Sequence, residues 1–330
     1  MSNEDTPRDR LQKCLSGIKP DRPPVALWRH FPVDDQTPDG LAAAVATFQK
    51  VFDFDFIKVT PASSFAVTDW GSRDIWKGNP EGTRDFVRYA VNQPDDWLKL
   101  KPLNPLAGHL GVQIQCLNLV IREFSSQVPT IQTIFSPLSQ AKNLVGKENL
   151  MFHLRAHPEA VHKGLQTITQ TTIDFIREST KTGIDGIFFA VQHAQYGLMP
   201  VSEFQEFGRL YDLQVLEAAK ELWLNVGHIH GERIMFDQVS DYPVQILNWH
   251  DRHTPPSLAD AHNRFIGTVC GGLRQWETMV LGEPADVRRE ALDAIEQTQG
   301  TRFILGTGCV VPITAPGGNI SAARQAVNRV

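Results

Sequence analysis

Short apolar runs alternate with longer amphipathic stretches along most of the chain. Eight runs, residues 24–30, 54–61, 129–136, 184–191, 222–228, 244–249, 265–270 and 303–310, are rich in β-branched and aromatic residues and read as strands. Between them, residues 41–52, 110–124, 204–221 and 284–299 carry helical periodicity. Ser202, with Gln205 three residues on, is placed to cap the third helix, and Pro284 and Gly300 bracket the fourth. Strands that are apolar throughout belong to parallel sheets covered on both faces. Eight strands, many of them nearly all apolar and most followed by a helix, predict an α/β fold of the closed (β/α)8 TIM-barrel type. A doubly wound open sheet is the alternative, but no Gly-rich phosphate turn follows the first strand. The interval 62–128 is the least regular, and its polar part, 70–96, reads as an insertion after the second strand, lying over the barrel mouth. The residues ahead of the first strand read as a helical extension. No repeat, low-complexity tract or linker divides the chain, so residues 1–330 are expected to form a single domain.

Composition changes this picture little. With 330 residues, 42% of them hydrophobic, the chain can bury a large core. A net charge of −5, with both signs interspersed, argues against a nucleic-acid platform. The N-terminus is polar and acidic, unlike a signal peptide, and no run approaches the roughly 18 apolar residues of a membrane helix. Cys14, Cys116, Cys270 and Cys309 follow no disulfide framework, which fits a reduced, cytoplasmic protein.

Candidate chemistry gathers where the strands end, the catalytic face of a barrel enzyme. In Gly227-His228-Ile229-His230-Gly231 the two histidines are spaced to share one face of a strand. If Cys309, at the end of the last strand, reaches the same point, two imidazoles and a thiolate with a fourth position open would suit catalytic zinc. The plainer readings are a histidine bonded to backbone and a cysteine serving as a small apolar residue. Cys270 is the rival thiolate, although its run makes it look core-facing. His250 and His193 are candidate catalytic groups. Arg29 either holds a carboxylate in the mouth or bridges strand to helix. Asp69, Gln192, Trp249 and Asp251 are candidate substrate contacts. For His109, His153, His157, His162, His253 and His262 a solvated surface position is the default.

Four segments then carry a resemblance. Leu15-Ser-Gly-Ile-Lys-Pro-Asp-Arg-Pro-Pro-Val25, Phe52-Asp-Phe-Asp-Phe-Ile-Lys-Val-Thr-Pro61, His228-Ile-His-Gly231 and Gly308-Cys-Val-Val-Pro-Ile-Thr-Ala-Pro-Gly-Gly-Asn-Ile320 together resemble the uroporphyrinogen decarboxylase superfamily. The third is similar to the His-x-Cys-Gly motif of its zinc- and corrinoid-dependent methyltransferases. The metal-free decarboxylases carry two arginines four residues apart after the first strand and an aspartate after the second. Here Arg29 is followed at that spacing by Val33, and Thr60-Pro61 closes the second strand. The resemblance therefore implies a methyltransferase with Zn²⁺ on His228, His230 and Cys309, moving a methyl group between a small-molecule donor or acceptor and cobalamin. An imidazole in place of one thiolate leaves the metal more electrophilic, so an oxygen substrate suits it at least as well as a thiol. No Asp-x-His-x-x-Gly corrinoid motif is present, so the corrinoid would arrive free or on a partner protein, docking at the mouth. Two alternatives stand beside this reading: a decarboxylase of a small aromatic or tetrapyrrole acid, with His228 or His230 as general acid and Arg29 on the carboxylate, and a non-catalytic corrinoid- or tetrapyrrole-binding protein. A homodimer is compatible with all three.

Overall fold

A computed structural model describes residues 4–125 and 127–329 of the chain. Seven parallel strands stand side by side in the order β1 (Ile57–Val59), β4 (Thr130–Phe135), β5 (Gly186–Val191), β6 (Val226–Ile229), β7 (Ile246–Trp249), β8 (Thr268–Leu273) and β9 (Phe303–Thr307). The expected first strand closes the ring with the least pairing. Val25 bridges Leu305 in parallel, and Ala26 N donates to Leu305 O at 3.0 Å. On its other side Asp55 N donates to Val25 O at 2.9 Å. Pro23 and Pro24 have no N–H to give, which is why this stave is a short bridge rather than a full ladder. The result is the expected TIM-barrel-like ring of eight staves.

Every residue of β4, β5 and β8 is buried, because side chains alternate between the barrel interior and the surrounding helices. Those helices include Pro38–Phe52, Gly108–Phe124 and Pro284–Thr298, close to expectation. The helix at 204–221 differs. It starts at Val201 on Pro200, so Ser202 lies in the first turn and caps nothing. A π-helical stretch at Gln205–Arg209 then interrupts it before Leu210–Glu217. Residues 137–181 hold three helices in direct succession, Pro137–Val145, Lys147–Ala156 and Pro158–Lys181. Prolines open the first and third, and Gly146, at φ 86°, turns the chain between the first two.

Pro7–Leu15 forms the N-terminal helix, capped by Thr6. At the amino ends of the staves, Asp55 ties this helix to the barrel. Its carboxylate accepts from Arg10 at 2.6 Å, from Arg22 at 2.8 Å and from Val25 N at 2.7 Å. The insertion carries a hairpin, β2 (Arg73–Ile75) against β3 (Asp85–Arg88). Its tip lies on the loops that follow three staves. Pro80 O accepts from Ile313 N at 2.7 Å, Glu81 accepts from Gln275 at 3.1 Å, and Gly82 packs on His30. The insertion thus lies over the barrel mouth. No helix among the described residues is long and apolar enough to cross a membrane.

Candidate metal centre

Strand register decides which side chains meet. Ala190, His228, Asn248 and Cys270 stand in one row across β5 to β8. Residues two further along face the same way, so His230 and His250 form the next row toward the mouth. Cys309, just past β9, completes the group. One donor atom from each of His228, His230, His250 and Cys309 lies within 4.8 Å of the others. Cys309 Sγ is 3.8 Å from His230 Nδ1. A tetrahedral zinc ion spaces its donors by about 3.4 Å for two nitrogens and about 3.6 Å for nitrogen and sulfur.

Two further observations bear on whether these residues suit a metal. The Nε2 atoms of His228 and His250 are buried without a hydrogen-bond partner, although a buried polar atom normally has one. All three rings are held neutral, with a lone pair available. Burial, with His230 and His250 nearby, holds His228 well below the ordinary imidazole value. Burial and Lys142 bring His230 to about 4; burial, His230 and His253 bring His250 to about 4. Burial pushes the Cys309 thiol up to about 11, so it needs a neighbouring cation to become a thiolate. The donor set fits zinc or a similar soft-to-borderline ion.

His228, His230 and Cys309 are thus brought together as the sequence suggested. The register brings His250 in as a fourth potential donor beside the three. His193 lies beside the group and is not one of its four members. Its ring is buried, Nδ1 has no partner, and burial with Lys142 and His230 lowers it to about 3. Gln192 is close by and accepts from Lys142 Nζ at 3.0 Å.

The other candidates point elsewhere. Trp249, between inward-facing Asn248 and His250, faces outward, is fully buried against Phe236, and donates to Pro256 O at 3.0 Å. Asp251 turns to Gly272 N at 3.1 Å. Asp69 accepts from the backbone and ring of His109 at 2.7 and 2.8 Å, holding the start of the helix at Gly108. Arg29 lies over the Phe31 ring and lines a small cavity with Val45 and Phe48 of the outer helix, and its Nε is buried without a hydrogen-bond partner. Cys270 is fully buried beside Asn248, whose Nδ2 donates to its carbonyl, a core position. Of the histidines expected at the surface, His153 is buried and bonds Trp97 Nε1 at 2.9 Å.

Two residues near the group escaped the sequence reading. Asn248 bonds His228 Nδ1 through Oδ1 at 2.7 Å. Lys58 is buried with its nitrogen 4.3 Å from the Phe188 ring centroid, and Phe188 in turn stacks on His228 at 5.1 Å. Burial lowers this lysine to about 7. A lysine in the middle of an otherwise apolar strand was the available signal.

A family model described as uroporphyrinogen decarboxylase (URO-D) matches residues 35–330. The uroporphyrinogen decarboxylase of Christiangramia forsetii is 28% identical over 245 residues, covering 64% of this chain and 67% of that protein. That of Flavobacterium johnsoniae is 29% identical over 119 residues, 34% of each. Among solved structures, a methyltransferase from Methanosarcina mazei aligns with a TM-score of 0.86 at 17% identity over 98% of both chains. A B12-independent methionine synthase from Shewanella sp. W3-18-1 aligns at 0.60 and 13% identity over 94% of both. These two likenesses are of fold.

Proposed function

The chain belongs to the uroporphyrinogen decarboxylase family, and from that premise we propose that it is a zinc-dependent methyltransferase working between a small substrate and a corrinoid. One observation carries the reading: three neutral imidazoles and a thiol converge within 4.8 Å at the carboxyl ends of the staves. A barrel that decarboxylates without metal has no need of such a donor set. The structural neighbours, a methyltransferase and a methionine synthase, support methyl transfer on this fold.

His228, His230 and Cys309 would hold the ion, with His250 at the remaining corner. Zinc bound there lowers the pKa of a thiol or hydroxyl so that the substrate can act as a nucleophile near neutral pH. His250 is half-buried and its Nε2 is unpartnered, so it would be the donor to give way to substrate, with the released proton passing to water. A corrinoid at the mouth would supply the carbon–cobalt bond that such a transfer breaks or forms, while His228, His230 and Cys309 would hold the ion that activates the substrate heteroatom. The insertion over the mouth, with Trp76 and Val87 exposed on it, is the surface a corrinoid carrier would meet.

Metal analysis of protein purified without chelator tests the reading. The expected result is near-stoichiometric zinc, lost in His230→Ala and Cys309→Ala, and demethylation of added methylcobalamin by a thiol or alcohol, followed by absorbance. A metal-free preparation that releases CO₂ from an aromatic or tetrapyrrole acid would replace it with the decarboxylase reading.

A further inference from the structure

The row beneath the donor group contains an amide whose orientation is fixed by chemistry. Asn248 is fully buried on β7. Its Nδ2 lies 2.9 Å from Cys270 O and 3.0 Å from Thr307 O, two carbonyl oxygens that only accept. The NH₂ group must therefore be on that side, and both of its protons are engaged. Its Oδ1 is left facing His228 Nδ1 at 2.7 Å. An amide oxygen cannot donate, so the proton in this contact belongs to Nδ1. In a neutral imidazole that leaves Nε2 as the acceptor, and Nε2 is the buried atom without a partner. Phe188, stacked on the ring at an interplanar angle of 26°, holds its plane.

We infer that Asn248 is a positioning residue that sets His228 as its Nδ1–H tautomer, with the Nε2 lone pair aimed at the donor group before any ion arrives. The inference rests on the metal reading above and adds the cause of the site's preorganisation. The carbonyls of β8 and β9 orient the amide, the amide orients the proton, and the proton orients the lone pair. Partners of this kind behind a metal-binding histidine contribute about 10- to 100-fold in metal affinity.

The experiment uses the full chain with ¹⁵N-labelled histidine. Long-range ¹H–¹⁵N correlation of metal-free protein, with His228 assigned by loss in His228→Gln, should show a protonated Nδ1 and an unprotonated Nε2. In Asn248→Leu the Nε2–H form should appear, and zinc affinity, measured by competition with a chromophoric chelator, should fall about 10- to 100-fold. Asn248→Asp keeps an acceptor for Nδ1–H and, when protonated, a donor for one carbonyl. It should retain the wild-type tautomer and most of the affinity even if Asn248→Leu folds poorly. An Nε2–H tautomer in wild type, or unchanged zinc affinity in folded Asn248→Leu, overturns the inference. Wild-type protein that binds no zinc overturns the metal reading instead, and the metal-free spectrum still decides whether Asn248 sets the ring.

Discussion

Gly308 offers a sharp test of whether Cys309 and His250 share an ion, because it joins the two through backbone contact alone. A Cβ built on Gly308 would lie 2.7 Å from His250 Cα and 2.9 Å from Trp249 O. Ordinary contact begins at 3.4 Å, so Gly308→Ala drives these backbones about 0.7 Å apart, and neither atom can rotate away. The displaced elements are the neighbours of two donors, Cys309 on one side and His250 on the other. Metal–ligand distances tolerate only about ±0.2 Å. The substitution should therefore cost at least about 10- to 100-fold in zinc affinity, the scale of an ordinary supporting-residue defect. It should cost about 1–3 kcal/mol of stability as an overpacked core site. Gly197→Ala is the matched control: its Cβ would meet nothing within 4 Å, so it should change neither quantity. Chelator competition and urea unfolding on the same preparations read the two effects. Wild-type zinc affinity in folded Gly308→Ala would refute the reasoning, since two donors cannot be forced apart and still share one ion unchanged.

Other expectations follow from the same contacts. His250→Ala should lower zinc affinity measurably while Trp249→Phe leaves it unchanged, because the two side chains leave β7 on opposite faces; chelator competition compares them. Asp55→Ala removes the buried acceptor of Arg10, Arg22 and Val25 N at the amino end of the barrel, and should cost about 3–5 kcal/mol in urea unfolding with zinc stoichiometry intact. Burial holds the Asp212 carboxyl protonated up to about 7, against the opposing hydrogen bond from Tyr242 and the charge of Arg209. Unfolded, the same group ionises near 3.8, so it contributes a loss of stability that grows as pH rises from about 4 to 7 and is constant above. Asp212→Asn should match wild type near pH 4 and exceed it by up to about 4 kcal/mol at pH 8, read from urea melts across pH.

The sequence reveals the barrel well because its strands are buried on both faces. Runs such as Gly186–Val191 are apolar throughout, and no competing element of that length produces eight such segments in alternation with helices. Fine structure is less visible where it depends on tertiary contact. The π-helical stretch at Gln205–Arg209 interrupts a helix whose periodicity reads as continuous, and the short first stave follows from two prolines acting on its pairing.

The donor group divides in the same way. His228 and His230 are legible as a pair because a strand's period of two is local, a property of the chain alone. His250 is not legible as a donor, because the sequence at 249–251 offers Trp249, His250 and Asp251 as equals at a strand end. Register separates them. Once His228 stands opposite Asn248, His250 must stand beside His230, Trp249 must face the helices, and Asp251 is carried past the strand toward Gly272. A single hydrogen-bonded pairing between β6 and β7 therefore determines both the fourth donor and the amide behind the first. A slip of one residue would exchange His250 for Trp249 and abolish the site.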